Sequence, residues 1–207
     1  MERMAWNRPI VGMIWLAVCL AGAYAAMNYD FKPGRLAAPL ASWPADLSGL
    51  DSAMQLERPQ KLTVIAFLHP RCACSNATVK QLVKMLQAHP VPEIIVSVYT
   101  PLDAADKAAW EQSDSVKRVL EKLPAARVIA DRDGVLASRF GAFTSGTLLV
   151  YDSKGEEIFR GGITDRRGGE EDNTGLRQFA QAISKEVRVQ TEMSPVFGCL
   201  LVAGGSS

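Results

Sequence analysis

The chain has 207 residues, 48% hydrophobic and 22% charged, with a formal net charge of +1. That length and balance suit one ordinary domain with appendages and a buried core. Near-neutral charge without a block of like charges speaks against a nucleic-acid partner and against long-range steering towards an acidic one.

Arg3 and Arg8 precede an uncharged apolar run from Pro9 to about Met27. Its length suffices to cross a bilayer as one helix. Basic residues before it and Asp30 after it orient the amino terminus to the cytoplasm and send the remainder outside. The expectation for residues 1–28 is a cytoplasmic stub and a transmembrane helix or signal anchor. This describes a single-pass protein of the bacterial inner membrane, with its domain in the periplasm or on the extracytoplasmic side. Ala23-Tyr24-Ala25 has the small-x-small form of a cleavage site, so a cleaved signal peptide is the competing reading, with the same export. Lipidation at Cys19 is disfavoured by the bulk of Val18.

Residues 29–60 carry Pro33, Gly34, Pro39, Pro44 and Pro59 without sustained periodicity. They read as a linker and irregular lead-in, a tether with Trp43 and Leu47 available to dock on a core. The domain proper is expected over 61–190. Leu62 to Leu68 is a near-continuous apolar run, as in a central strand covered on both faces. Val79, Leu82, Val83 and Leu86 then mark an amphipathic helix from near Ser75 to His89-Pro90. Glu93 to Tyr99 is a second buried strand, parallel to the first.

Ala104 to Leu123 reads as one or two helices closed by Pro124. Arg127 to Ala130 is a short strand, followed by a helical turn with Val135, Leu136 and Phe140. Thr147–Tyr151 and Glu157–Phe159 flank the turn Asp152-Ser-Lys-Gly155 as an antiparallel hairpin. Leu176, Phe179, Ala180, Ile183 and Val187 form the stripe of a closing helix that Thr174 is placed to cap. Residues 191–207 are a tail carrying Cys199.

Four cysteines are too few for a disulfide scaffold in a chain of this size, and their spacing points to redox or metal chemistry. Cys19 lies in the apolar run. Cys72 and Cys74 fall in His69-Pro-Arg-Cys-Ala-Cys-Ser75, where a strand empties into a helix. The unpaired N–H groups and positive dipole end there favour thiolate over thiol, which makes Cys72 the candidate nucleophile with its sulfur partly exposed.

Phe67-Leu-His-Pro-Arg-Cys72-Ala-Cys-Ser75 and Gly146-Thr-Leu-Leu-Val-Tyr151, with the order of elements, resemble the thioredoxin-like superfamily, especially its exported, membrane-tethered thiol-disulfide oxidoreductases. Gly161-Gly-Ile-Thr164, Asp172-Asn173-x-Gly175 and Val196-Phe-Gly-Cys199 resemble a narrower group, sometimes labelled RedB-like. The resemblance implies an α/β, three-layer sandwich with a mixed central sheet, preceded here by the transmembrane helix. Two positions depart from the pattern. Ser75 stands where the family has its second redox cysteine, and Gly146 where it has a cis-proline.

The implied activity is disulfide exchange with protein thiols or disulfides of the exported compartment. Cys72 is the attacking thiolate, and either Cys74 or Cys199 resolves the mixed disulfide. No cofactor is expected on this reading. The alternatives are a soft-metal protein holding copper, as Cu(I), through Cys72, Cys74 and His69, and a thiol peroxidase in which a Cys72 sulfenate condenses with Cys199. Supporting positions are His69 as a proton shuttle or a plain loop histidine, Arg71 as a positive charge, Ser75 as helix cap, and Gly146 with Thr147 facing the nucleophile. The Gly161–Asp172 stretch reads as a solvated loop of mixed charge, with a lid over the thiol as the alternative.

Overall fold

The computed structural model describes residues 7–40, 42–45, 47, 50–101, 110, 112–184 and 191–202. The chain divides into two compact units, Met1–Lys32 and Pro33–Ser207. The first is helix α1 (Asn7–Phe31). Its Pro9–Phe31 portion spans 23 residues at a mean hydropathy of 2.1, long and apolar enough to cross a membrane, as signal sequences also are. The helix passes Met27 and takes in Asp30, because the first strong breaker is Pro33, which also disfavours helix at Lys32.

The second unit is built on a six-stranded sheet: β1 (Thr63–Leu68), β2 (Glu93–Thr100), β3 (Arg127–Arg132), β4 (Thr147–Tyr151), β5 (Glu157–Gly161) and β6 (Glu192–Met193), in the order β3-β2-β1-β4-β5-β6. β1, β2 and β3 are parallel, β4 runs antiparallel to β1 and β5, and β6 lies parallel to β5. The sheet is therefore mixed. β1 is buried along its whole length, as its unbroken apolar run requires.

Helix α2 (Ala73–Ala88) links β1 to β2, and the His89 N–H still reaches the Met85 carbonyl at 2.8 Å before Pro90 ends the run. Helix α3 (Asp114–Lys122) leads into β3, while most of the helical stretch expected from Ala104 to Trp110 lies outside the described residues. Helix α4 (Val135–Arg139) follows β3, and α5 (Thr174–Ile183) follows β5. The cap of α5 is Asn173, whose side chain accepts from the Leu176 N–H at 2.9 Å, and not Thr174, which is already its first helical residue. Val187 lies outside the described residues.

Alternate residues of β1 face opposite layers. Val64, Ala66 and Leu68 pack with Val79 and Leu82 of α2, Val116 and Val119 of α3, and Phe179 and Ala182 of α5. Ile65 and Phe67 pack with Leu136 and Phe140 around α4, with Tyr151, and with Trp43, Leu47, Leu50, Met54 and Leu56. The expected tether is thus the third layer from Trp43 onward. Trp43 sets its ring edge-on to Phe140 and Tyr151, each at 5.0 Å, and its backbone N–H donates to the Gly155 carbonyl.

Candidate active site

The junction between β1 and α2 is fixed by its own backbone. Cys72 is the N-cap of α2 with extended backbone, its N–H donates to the His69 carbonyl and its carbonyl accepts from the Asn76 N–H, each at 3.2 Å. Ser75 does not cap the helix with its side chain. Its fully buried hydroxyl accepts from the His69 N–H at 2.9 Å and so ties the third helical residue back to the end of the strand. His69 stacks on Tyr99 at 5.3 Å and accepts at Nδ1 from the Arg71 N–H, which leaves the proton on Nε2. The Arg71 side chain is exposed.

The tail comes to this junction from the far edge of the sheet. After β6, Ser194 bonds the Arg160 and Gly162 carbonyls, and the Val196 carbonyl accepts from the Gly34 N–H. Leu200 bridges Thr144 antiparallel, the Ser145 N–H donates to the Cys199 carbonyl at 2.8 Å, and the Leu201 N–H donates to the Phe143 carbonyl at 2.9 Å. Val196, Phe197 and Leu201 are each 6% exposed or less, so this segment is part of the core and not a flap. The result is Cys199 Sγ 2.8 Å from Cys72 Sγ.

Ser145 completes the contact. Its hydroxyl lies 3.4 Å from Cys72 Sγ and accepts from the Cys199 N–H at 2.9 Å, so one side chain addresses both cysteines. It stands in a tight turn closed by the Thr147 N–H and hydroxyl on the Thr144 carbonyl, at 3.3 and 2.6 Å. The third residue of that turn, Gly146, has φ +89°, and a Cβ there would stand 2.8 Å from Thr78 Oγ1. Glycine is demanded on both counts. A tight turn therefore presents a hydroxyl to the Cys72 sulfur.

No family model and no curated protein matches this sequence. Among solved structures the chain is similar to an uncharacterized conserved protein from Geobacillus kaustophilus, 17% identical, with 86% of this chain and 95% of that one covered and a TM-score of 0.53. It is also similar to a hypothetical protein from Sinorhizobium meliloti, 20% identical, with 84% and 96% covered and a TM-score of 0.52. A looser match, to a secreted Mycobacterium tuberculosis disulfide oxidoreductase, is 16% identical over 62% of this chain and 84% of that one, at a TM-score of 0.44. The Geobacillus and Sinorhizobium proteins share the fold of this chain.

In this domain the three thiols divide one charge unequally. Cys72 is pushed down to about 3, first by the thiol of Cys74 donating to it, then by Cys199, the Ser145 hydroxyl and the Ser75 N–H, with burial acting the other way. The N-terminal end of α2 favours the same anion. Cys74 is pushed up by its bond to that thiolate and by burial, against which the Gly168 N–H acts. Cys199 is pushed up to about 11 by burial and by its own bond to Cys72, with the Arg167 charge opposing. His69 is lowered by burial above all, so it is neutral at pH 7.

Two expectations are corrected here. Cys72 is not partly exposed: it is 6% exposed, under the tail and the Ser145 turn, while Cys199 is the more open of the two. The Gly161–Asp172 stretch is not merely solvated. Arg166 and Arg177 do form surface ion pairs with Asp165, Glu171 and Asp172, but Arg167 turns inward to the Gly198 carbonyl and Gly168 faces Cys74. Ser145 and Arg167 are thus site residues that sequence reasoning passed over. The start of that stretch is packed against the tail: a Cβ on Gly162 would stand 2.8 Å from the Pro195 carbonyl, and one on Gly175 would meet the Gly162 carbonyl.

The copper alternative requires Cys72, Cys74 and His69 to aim donor atoms at one point. His69 Nδ1 is engaged by the Arg71 N–H, and among the described residues no group of three His, Cys, Asp or Glu side chains is arranged to hold an ion.

Proposed function

We propose that the protein is an exported, membrane-anchored thiol-disulfide oxidoreductase whose redox couple is Cys72 and Cys199, with Cys74 as the protonated thiol beside it. The observation that carries this reading is the 2.8 Å separation of the Cys72 and Cys199 sulfurs, reached across 127 positions of sequence. A bond between Cys72 and Cys74 would close a very small ring and carry strain; one to Cys199 need not, because the tail delivers that sulfur from a separate element. Stabilising Cys72 as thiolate stabilises the reduced couple, and a couple with a stabilised reduced form is an oxidant. The reaction supported is therefore the oxidation of protein thiols. The apolar α1 behind Arg3 and Arg8 supports the anchor and the orientation.

The test is to isolate the full chain in detergent, acid-quench it, alkylate it, and map its disulfides by mass spectrometry of non-reduced peptides. The expected product is a Cys72–Cys199 cross-link with Cys74 alkylated. A Cys72–Cys74 cross-link, or alkylation of all three thiols after equilibration with excess oxidised glutathione, overturns the reading.

A further inference from the structure

We propose that Cys199, and not the helix-capping Cys72, is the sulfur that a partner's thiol attacks, and that Cys72 is the leaving group. This rests on the Cys72–Cys199 couple proposed above. Thiol-disulfide exchange requires the incoming sulfur to approach along the extension of the bond it breaks. The Cys72 sulfur is poorly placed for that approach: the Ser145 hydroxyl, the Cys74 thiol and the Ser75 N–H already contact it, and the residue is buried. Cys199 is half-buried and stands between Gly198 and the exposed Leu200. Arg167, bonded to the Gly198 carbonyl, puts a positive charge beside it, suited to an arriving thiolate.

The tail cannot expose Cys72 by a local swing of one residue. It is pinned before Cys199 by the Val196 carbonyl on Gly34 and after it by the buried Leu201. Gly198 permits the close seat, since a Cβ there would stand 1.9 Å from the Ser145 carbonyl oxygen. The segment therefore works as a fixed wall with one sulfur showing through it.

The exchange balances as follows. A partner thiolate attacks Cys199 Sγ, one S–S bond forms and the Cys199–Cys72 bond breaks, and the electron pair passes to Cys72 Sγ, where the Ser145, Cys74 and Ser75 donors receive it. The partner's second thiolate then attacks its own half of the mixed disulfide and expels Cys199 Sγ, which takes up a proton. The partner loses two electrons as it becomes a disulfide, and the couple gains them as the Cys72 thiolate and the Cys199 thiol. The partner class is thus a peptide or protein dithiol whose two cysteines lie close enough to pair.

The oxidised full-length protein, in detergent, is mixed with reduced glutathione, acid-quenched over a series of times, alkylated and mapped by mass spectrometry. The expected adduct carries glutathione on Cys199 and the alkyl group on Cys72, at least tenfold over the reverse arrangement. Glutathione on Cys72 to an equal or greater extent overturns the inference while leaving the couple intact. Loss of the Cys72–Cys199 bond with no Cys199 adduct at any quench time does the same. Absence of a Cys72–Cys199 bond in the starting material removes both the inference and the reading under it.

Discussion

The two faces of the central sheet are equally dry but are covered in different ways. Val64, Ala66 and Leu68 lie under α2, α3 and α5, whose apolar stripes repeat with the helical period. Ile65, Phe67, Leu149 and Tyr151 lie under a largely aperiodic layer: the lead-in from Trp43 to Leu56, the short α4, and Leu201 of the tail. Burial needs complementary shape and satisfied backbone, and it does not need regular secondary structure. The thiols meet where the two kinds of layer adjoin. Cys72 opens a helix of the regular side, and Cys199 sits two residues before the tail's anchor in the irregular one.

If the irregular layer is core in the same sense as the helical one, matched truncations must cost alike. Trp43→Ala is expected to lower unfolding stability by about 3–5 kcal/mol, and Leu82→Ala on the opposite face by about 2–5 kcal/mol, measured by urea unfolding of the full chain. A loss for Trp43→Ala within about 0.5 kcal/mol, as for an unconstrained surface position, would return the segment to the role of a tether.

What was legible in the sequence follows the same division. The β1–α2 junction and the place of Cys72 at the start of α2 were readable because a continuous apolar run and a 3.6-residue period bracket that residue locally. Nothing local in Thr144-Ser145-Gly146 reveals that the Ser145 hydroxyl meets a cysteine 73 positions away. Trp43 and Leu47 were visible only as candidates for docking, since a lead-in rich in proline shows no period whether it is packed or free. Arg167 was hidden among neighbours whose charges do face water. The tail's one overt sign was Gly198, meaningful only once the Ser145 carbonyl is known to lie against it. Gly198→Ala should then cost about 1–3 kcal/mol by forcing the tail off that carbonyl. It should also slow closure of the Cys72–Cys199 bond by about tenfold in stopped-flow oxidation, which corresponds to about 1.4 kcal/mol in the barrier. Unchanged closure would mean that Cys199 does not depend on this seat.

The finest contrast between the two sides is one of protons. The ordinary value for either thiol is 9.0, and the folded chain moves Cys72 to about 3 and Cys199 to about 11. The Cys72 shift stabilises the reduced chain fully above the unfolded pKa and is lost as pH falls towards about 3; the Cys199 shift is fully present below the unfolded pKa and is lost as pH rises through about 11. Between those limits reduction takes up two electrons but one proton, because Cys72 stays a thiolate. The couple's potential should therefore fall by about 30 mV per pH unit from pH 5 to 8, half the roughly 59 mV of a couple that takes up two protons. Ser145→Ala removes one donor to the thiolate, worth about 1.5–3 kcal/mol for a charged acceptor. It should raise the Cys72 pKa by about one to two units and lower the potential by about 30–65 mV, with the slope near neutral pH unchanged. Glutathione equilibration at graded pH, read by mass spectrometry, measures both quantities. A slope near 59 mV per unit in the unsubstituted protein would show that Cys72 is a thiol at neutral pH, and with it that the donors around its sulfur do not hold the charge on the helical side.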